Sequence, residues 1–237
     1  PIIIIENSKE KELKKILDNN YKNTKTILRN NIGYGNAINE GSKFVKTKYF
    51  FVINPDTSIY SNTLRILLKN IKKIKKFGAI SPNHIINIRT KYKKEILEAD
   101  TLTGGAMLFD LKSFKKLGGF DKNIFLYYED NDFFTRCKKK NYKLFLIANS
   151  FHNHKKKSSG SAQFKNENEK NYAYYLAGWH GQWSKFYFYK KNKGYLSALI
   201  KCLPKNLLNL FQIFVFIFLN PPKAKYKYYK FEGFVAS

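Results

Sequence analysis

Acid is the scarcest resource of this chain. It carries 17 Asp and Glu against 44 Lys and Arg in 237 residues, a formal net charge of +27. Cysteine is scarcer still in number. Cys137 and Cys202 lie far apart with no CxxC spacing, giving no signal for a disulfide framework or a zinc site and fitting reduced thiols. The glycine-rich stretch NNIGYGNAINEG lacks the Gly-Lys-Ser/Thr ending of a phosphate-binding P-loop and does not fit G-x-G-x-x-G. No apolar run reaches the ~20 residues of a membrane-spanning helix. The longest, Leu207 to Leu219, is interrupted by Asn209 and Gln212, barred from extending backwards by Lys201, Pro204 and Lys205, and stopped by Pro221-Pro222. No signal or transit peptide is visible.

What is present supports a packed core, since 43% of residues are hydrophobic. The length suits one large α/β domain, or one domain with an appendage. Positive charge is uneven: residues 1–132 hold 24 basic and 14 acidic side chains, residues 133–237 hold 20 and 3. Such a balance points to nucleic acid, anionic lipid or phosphate-bearing substrates, although heavy use of Lys, Asn, Ile, Phe and Tyr also suggests compositional bias.

The scarce acids are concentrated. Glu129, Asp130 and Asp132 fall within four positions of GGFDKNIFLYYEDNDFFTR, where like charges repel without helping the fold. Helix capping would explain one of them. Three behind two tyrosines suggest a proton to abstract, a metal, or sugar hydroxyls to bind.

Secondary-structure signals alternate. Ile2 to Ile5 read as a buried strand, Ser8 as the cap of a helix carrying Leu13, Ile16 and Leu17, and Thr26 to Leu28 as a strand. Tyr49 to Ile53 form another buried strand, ending at Asn54-Pro55-Asp56, and Ser61 opens an amphipathic helix through Leu64, Leu67, Leu68, Ile71 and Ile74. Further strands are expected from Gly78, over Thr101 to Phe109, and over Leu144 to Phe151. From about residue 166 the pattern is helical. This predicts an α/β fold with a doubly wound, mainly parallel sheet over 1–165 and a basic, aromatic helical region over 166–237. Ligand sites in such sheets lie at the carboxyl ends of strands, where Glu6-Asn7-Ser8 and Asn54-Pro55-Asp56 fall.

Several weak features suggest chemistry. Asp56 could hold Mg²⁺ or Mn²⁺ against a diphosphate, or be an ordinary turn former. Gly33, Gly35 and Ala37 could admit a nucleotide to backbone N–H groups, or serve packing. His152 and His154 share a strand face and could enter one pocket. The Lys- and Ser-rich segment KKKSSGS after them could close over phosphates.

In order, strand-ENS, NxGYGxAxNxG, YFFVINPD, TGGAML, GGFD…FxYYEDxDFxxR, HxxxS and WxxxWSKFYFxxK resemble the family 2 glycosyltransferases, closest to the rhamnosyltransferase-like group of bacterial surface-polysaccharide synthesis. The resemblance runs from Ile2 to about Gly194. It implies a GT-A fold, a nucleotide-diphosphate sugar donor, Mg²⁺ or Mn²⁺, and inverting transfer to a glycan or polyprenyl-linked acceptor. It assigns Asp130 as the general base, Glu129 and Asp132 to acceptor hydroxyls, and Asp56 and His154 to the metal, with His152 in reserve. Glu6, Asn7, Gly33, Asn39, Asp56, Gly104 and Gly105 fall on the donor side. Asn54 stands where many members have a first Asp, and Glu6 where they usually have a shorter Asp.

Members also begin with a βα unit ahead of the strand at Ile2, so the resemblance implies a chain cut at its start and incomplete in its donor pocket, with Ser237 a second cut. Lipid-linked acceptors would place it in the cytoplasm at the inner face of the cell membrane. There the lysines would meet anionic lipid, with the Trp179/Trp183/Phe186/Tyr187 face and the Leu207–Leu219 run as an interfacial anchor. The rival reading, a nucleic-acid-binding protein without catalytic activity, rests on charge and aromatics, but no recognition signature accompanies them.

Overall fold

The computed structural model describes residues 1–85, 92–154 and 166–237. The segment KKKSSGS and the serine of HxxxS lie outside the described residues. The chain forms two compact units, the first of Pro1–Ile32, Asn36–Asp121 and Phe133–Ser159, the second of Gly33–Gly35, Lys122–Asp132 and Gly160–Ser237.

In the first unit, β1 (Ile2–Glu6) pairs in parallel with β2 (Thr24–Leu28), with Ile4 opposite Thr26. Between them α1 spans Lys11–Asn20. Its N-cap residue is Glu10 rather than Ser8, because the Ser8 amide turns back to Glu6 and donates to its carboxylate at 2.6 Å. The helix α2 (Tyr34–Ser42) follows.

A separate six-stranded sheet contains β3 (Tyr49–Ile53), β4 (Thr57–Ile59), β5 (Phe77–His84), β6 (Ile96–Ala99), β7 (Ala106–Asp110) and β8 (Lys143–His154). Its order is β3-β7-β5-β8-β4, with β6 also on β8. The expected α/β class is observed, and the pairing is mixed: β5–β8 is parallel, while β3–β7, β5–β7, β4–β8 and β6–β8 are antiparallel. The expected strand over Thr101 to Phe109 begins only at Ala106, since Gly104 and Gly105 form a turn.

Both faces of this sheet are covered, which is why β3 and β7 read as nearly unbroken apolar runs. Along β7, Met107 and Phe109 enter one cluster with Phe114, Phe120, Phe133, Cys137 and Leu144. Leu108 points the other way, to Leu67 and Ile71 of α3 (Thr63–Ile71) and to Ile80 and Ile147. Asn62, not Ser61, precedes α3 as its cap residue. The first cluster is an aromatic knot, with the Phe109 and Phe133 rings edge-on at 5.7 Å, a favoured quadrupole geometry. Phe114 arrives on α4 (Leu111–Lys116), capped by Asp110, whose carboxylate accepts from the Ser113 amide at 2.7 Å.

The acidic cluster opens α5 (Glu129–Lys139), with Lys138 and Lys139 in its last turn, a charge order that suits the helix dipole. In the second unit, α6 (Glu167–Lys193), α7 (Tyr195–Leu219) and α8 (Pro221–Val235) pack on one another. Gly194 at φ +88° ends α6 and opens α7. Two expectations are corrected here. The run ending at Leu219 is not confined to Leu207–Leu219, because α7 continues unbroken through Pro204 for 25 residues. Loss of one intrahelical hydrogen bond at an exposed proline is outweighed by packing on α6 and α8. By length and composition, α7 is the one helix among the described residues that could cross a membrane. Phe186 is also not part of a free aromatic face. It is buried against Ala198, Cys202 and Phe234, while Trp179, Trp183 and Tyr187 stack half-buried along α6.

Candidate active site

In the first unit, the turn after β3 brings four expected residues together. Asn54 donates its amide to the Gly105 carbonyl at 3.0 Å, tying the NPD turn to the Gly104-Gly105 turn. Thr57 then pairs with His154 across β4 and β8. As a result His154 Nε2 lies 3.0 Å from Asp56 Oδ1, with the Asp56 side chain only 3% exposed. Glycine at 105 makes the approach possible, since a Cβ there would sit 3.0 Å from Thr57 Oγ1 and 3.1 Å from the His154 ring. A buried carboxylate beside an imidazole is a mixed O/N donor set for a divalent cation that completes its shell with phosphate oxygens and water. Among the described residues no cluster of three or more His, Cys, Asp or Glu exists that could hold a metal.

His152, two positions earlier, is fully buried, its ring edge-on to His84 at 5.2 Å. Burial, then the neighbouring His84, pushes its pKa down to about 4, so it stays neutral in the core. The two histidines therefore face different neighbours.

The other donor-side residues are less uniform. Glu6 accepts from the Ser8 backbone and hydroxyl, while the Asn7 Oδ1 is buried with no protein partner, as a ligand-facing amide would be. Asn39 is engaged by the fold: its amide donates to the Phe120 carbonyl at 2.8 Å, and its Oδ1 accepts from the Phe120 N–H at 2.8 Å. It holds the GGF turn as a strand partner would.

Gly33 belongs to the second unit, at φ +83°. A Cβ there would lie 2.3 Å from the Phe125 carbonyl oxygen, which also accepts from the Tyr34 amide at 3.1 Å. The Phe125 backbone thus fills the space that a side chain at 33 would take.

The same unit contains a pocket of about 610 Å³. Glu129 and Asp130 line it with Tyr127, Tyr128, Tyr174, Gln182, Lys185, Tyr226 and Lys230. Tyr127 and Tyr128 are both left-handed, at φ +65° and +66°, a costly conformation for non-glycine residues that sets up the bend before α5. Burial, then the Asp130 charge, raises the Glu129 carboxyl to about 7, and its Oε2 is buried without a protein partner. Burial raises Asp130 as well, opposed by the Asn131 amide, which donates to its Oδ1 at 2.7 Å. Paired carboxylates with raised pKa suit proton abstraction. Flat tyrosine faces with an amide and lysines suit a hydroxyl-rich ligand.

Asp132 is not among the pocket's lining residues. It is fully buried and accepts from Lys191 Nζ at 2.7 Å and Asn192 Nδ2 at 3.2 Å, both on α6. Sequence reasoning missed Tyr174, Gln182, Tyr226 and Lys230, which reach the pocket from two helices. The tyrosine-rich spacing of α6 and α8 was the available signal, and it is shared with ordinary helix packing. Tyr174 and Tyr226 stack at 4.2 Å.

A family model described as the N-terminal domain of galactosyltransferase matches residues 84–157, less than a third of the chain. No curated protein matches in sequence. Among solved structures, the chain is similar to GalNAc-T7 with UDP, GalNAc and Mn²⁺, at 15% identity and a TM-score of 0.56, covering 79% of this chain and 44% of that one. It is similar also to the mannosyltransferase PcManGT from Pyrobaculum calidifontis in complex with GDP-Man and Mn²⁺, at 12% identity and 0.57, covering 98% and 76%. A third is S. aureus TarS 1-349, at 11% identity and 0.51, covering 99% and 80%. The chain thus spans less than half of GalNAc-T7. The fold is the GT-A type of glycosyltransferases.

Proposed function

We propose that this chain is an inverting glycosyltransferase that moves a sugar from a nucleotide-diphosphate donor to a hydroxyl of a glycan or polyprenyl-linked acceptor. The observation that carries the reading is the buried Glu129–Asp130 pair in a tyrosine-lined pocket, on a chain with a GT-A fold. Two of the solved proteins of similar fold hold a nucleotide or nucleotide sugar with Mn²⁺. Rhamnose is the first sugar to test, with cell-surface polysaccharide as the setting. A lipid-linked acceptor would be met at the inner face of the cell membrane.

Asp130 takes the acceptor hydroxyl proton as the acceptor oxygen bonds to the anomeric carbon. The carbon–oxygen bond to the diphosphate breaks, and the nucleoside diphosphate leaves with the electron pair. Attack opposite the leaving group inverts the anomeric centre. Glu129, its pKa near neutrality, hydrogen-bonds acceptor hydroxyls as donor or acceptor, and the Tyr faces position the ring. Asp56 and His154 would hold Mn²⁺ or Mg²⁺, which when bound neutralises charge on the leaving diphosphate. Asn7 offers its unpartnered amide oxygen to the donor.

A thermal-shift screen of UDP-, GDP- and dTDP-sugars, with and without Mn²⁺, tests this reading. A true donor at 100 times its Kd stabilises by about 2.7 kcal/mol. Tight, salt-sensitive RNA binding with no response to any nucleotide sugar would overturn it in favour of the nucleic-acid reading.

A further inference from the structure

The helix α7 is built inside out. Its buried side carries Ala198, Cys202, Asn206 and Asn209, of which two are amides with no exposed surface. Asn206 donates to the Cys202 carbonyl at 2.8 Å and to Gln182 Oε1 of α6 at 3.2 Å, and Asn209 donates to Asn206 Oδ1 at 3.2 Å. Polar groups therefore form the seam with its neighbours. The outward side is apolar: Leu196, Ile200, Leu207, Phe211, Phe214 and Phe218 are all more than half exposed, Phe218 by 90%. At 100° per residue these six fall within a sector of about 60°. A helix facing water shows the reverse distribution.

Charge identifies what covers this face. Exposed Lys201 and Lys205 lie on α7 between the apolar stripe and the buried seam, about 80° and 120° round the helix from the stripe's nearer edge, and exposed Lys223 and Lys225 follow at the start of α8. No acidic side chain occurs in α7, and the first acid after Glu169 is Glu232. An apolar stripe on an acid-free helix whose other exposed side carries lysines matches the acyl-chain boundary below an anionic headgroup layer. Because Asn206 bonds to α6, the inner face is already occupied, which favours a helix lying in the interface over one crossing it.

We propose that α7 docks this protein on an anionic lipid bilayer, lying parallel to the surface with Phe211, Phe214 and Phe218 in the acyl boundary and Lys201 and Lys205 among the headgroups. The inference is independent of the sugar-transfer chemistry and holds for any activity of the pocket.

Flotation of the whole chain with vesicles of phosphatidylcholine and phosphatidylglycerol tests it. Wild type is expected to float with the mixed vesicles, and Phe211→Glu/Phe214→Glu to lose at least tenfold in partitioning while keeping its circular dichroism spectrum. Lys201→Gln/Lys205→Gln should weaken binding about fivefold per lysine and reduce its salt dependence. In Phe218→Trp, the indole emission should shift blue on vesicle addition and be quenched by lipids brominated along the acyl chain. Equal flotation of the glutamate variant, or an indole emission that vesicles leave unshifted in Phe218→Trp, would overturn the proposal. So would a concentration-dependent dimer that the glutamate variant dissociates and that binds no vesicles, since a second copy would then cover the face.

Discussion

His154 Nε2 and Asp56 Oδ1 meet at 3.0 Å because the register of β4 on β8 sets Thr57 opposite His154. The backbone pairing, not a loop, fixes the spacing of the two side chains. Replacing Asp56 with Asn, or His154 with Ala, should therefore weaken Mn²⁺-supported nucleotide binding by more than about tenfold while leaving the fold intact. Calorimetric titration of UDP and GDP with and without Mn²⁺ checks this, and unchanged metal dependence in both variants would remove the pair from the metal site.

Gly105→Ala tests the same geometry from the neighbouring turn. The added methyl must displace Thr57 Oγ1 or the His154 ring. Overpacking of this kind costs about 1–3 kcal/mol. A urea midpoint equal to wild type would show that the site yields without cost.

Asp130→Asn should lower transfer by about 10²–10⁴-fold with donor affinity retained, as expected for loss of a general base. Normal turnover in the variant, with any donor the thermal-shift screen identifies, would place the base elsewhere.

Glu129 gives a pH signature. The folded state holds its proton up to about 7, whereas the ordinary value is 4.5. The folded form thus binds the proton more tightly than the unfolded chain, so this contribution is complete below about 4.5 and is lost as pH rises through about 7. The loss is at most about 3 kcal/mol. Urea denaturation at about pH 5 and about pH 8 should show the decline in wild type and a flatter response in Glu129→Gln. The same slope in both would refute the assignment.

Lys191→Met should destabilise the second unit by about 3 kcal/mol, because it removes the cation that neutralises the fully buried Asp132 carboxylate. Hydrogen exchange reading Lys122–Asp132 and the end of α6 checks this. Lys191→Met/Asp132→Leu should recover much of the loss, since no charge is then left buried.

Much of the fold is legible in the sequence. Ile2 to Ile5 and Tyr49 to Ile53 form strands because β-branched and aromatic side chains fit a sheet covered on both faces. Partner choice is not legible, since alternation says nothing about which strand lies beside which. The short β4 and β6 carry too few residues to announce themselves. Ser8 misleads because local hydroxyl bonding to Glu6 competes with capping. Of the candidate residues, Asp56 and His154 in the first unit and Glu129 and Asp130 in the second stand out by residue type and position. Asn39, Asp132 and Gly33 read in sequence as ligand-facing, yet their neighbours here are Phe120, Lys191 and Phe125, each far away along the chain. Long-range contacts of that kind leave no local pattern.

The Asn39 clip also orders events in time. Its partner, Phe120, is 81 positions away, so the paired bonds form only after a loop of that length has closed, at roughly 4 kcal/mol of chain entropy. The Arg136 guanidinium, which donates to the Gly119 carbonyl at 2.7 Å, ties α5 to the same GGF turn through a much shorter loop. A chain still emerging from the ribosome can fold α2, but cannot lock it until Phe120 has been made. The clip between α2 and the GGF turn is thereby a late contact in a chain made from its N-terminal side, and protease access to α2 should persist until Phe120 has been synthesised.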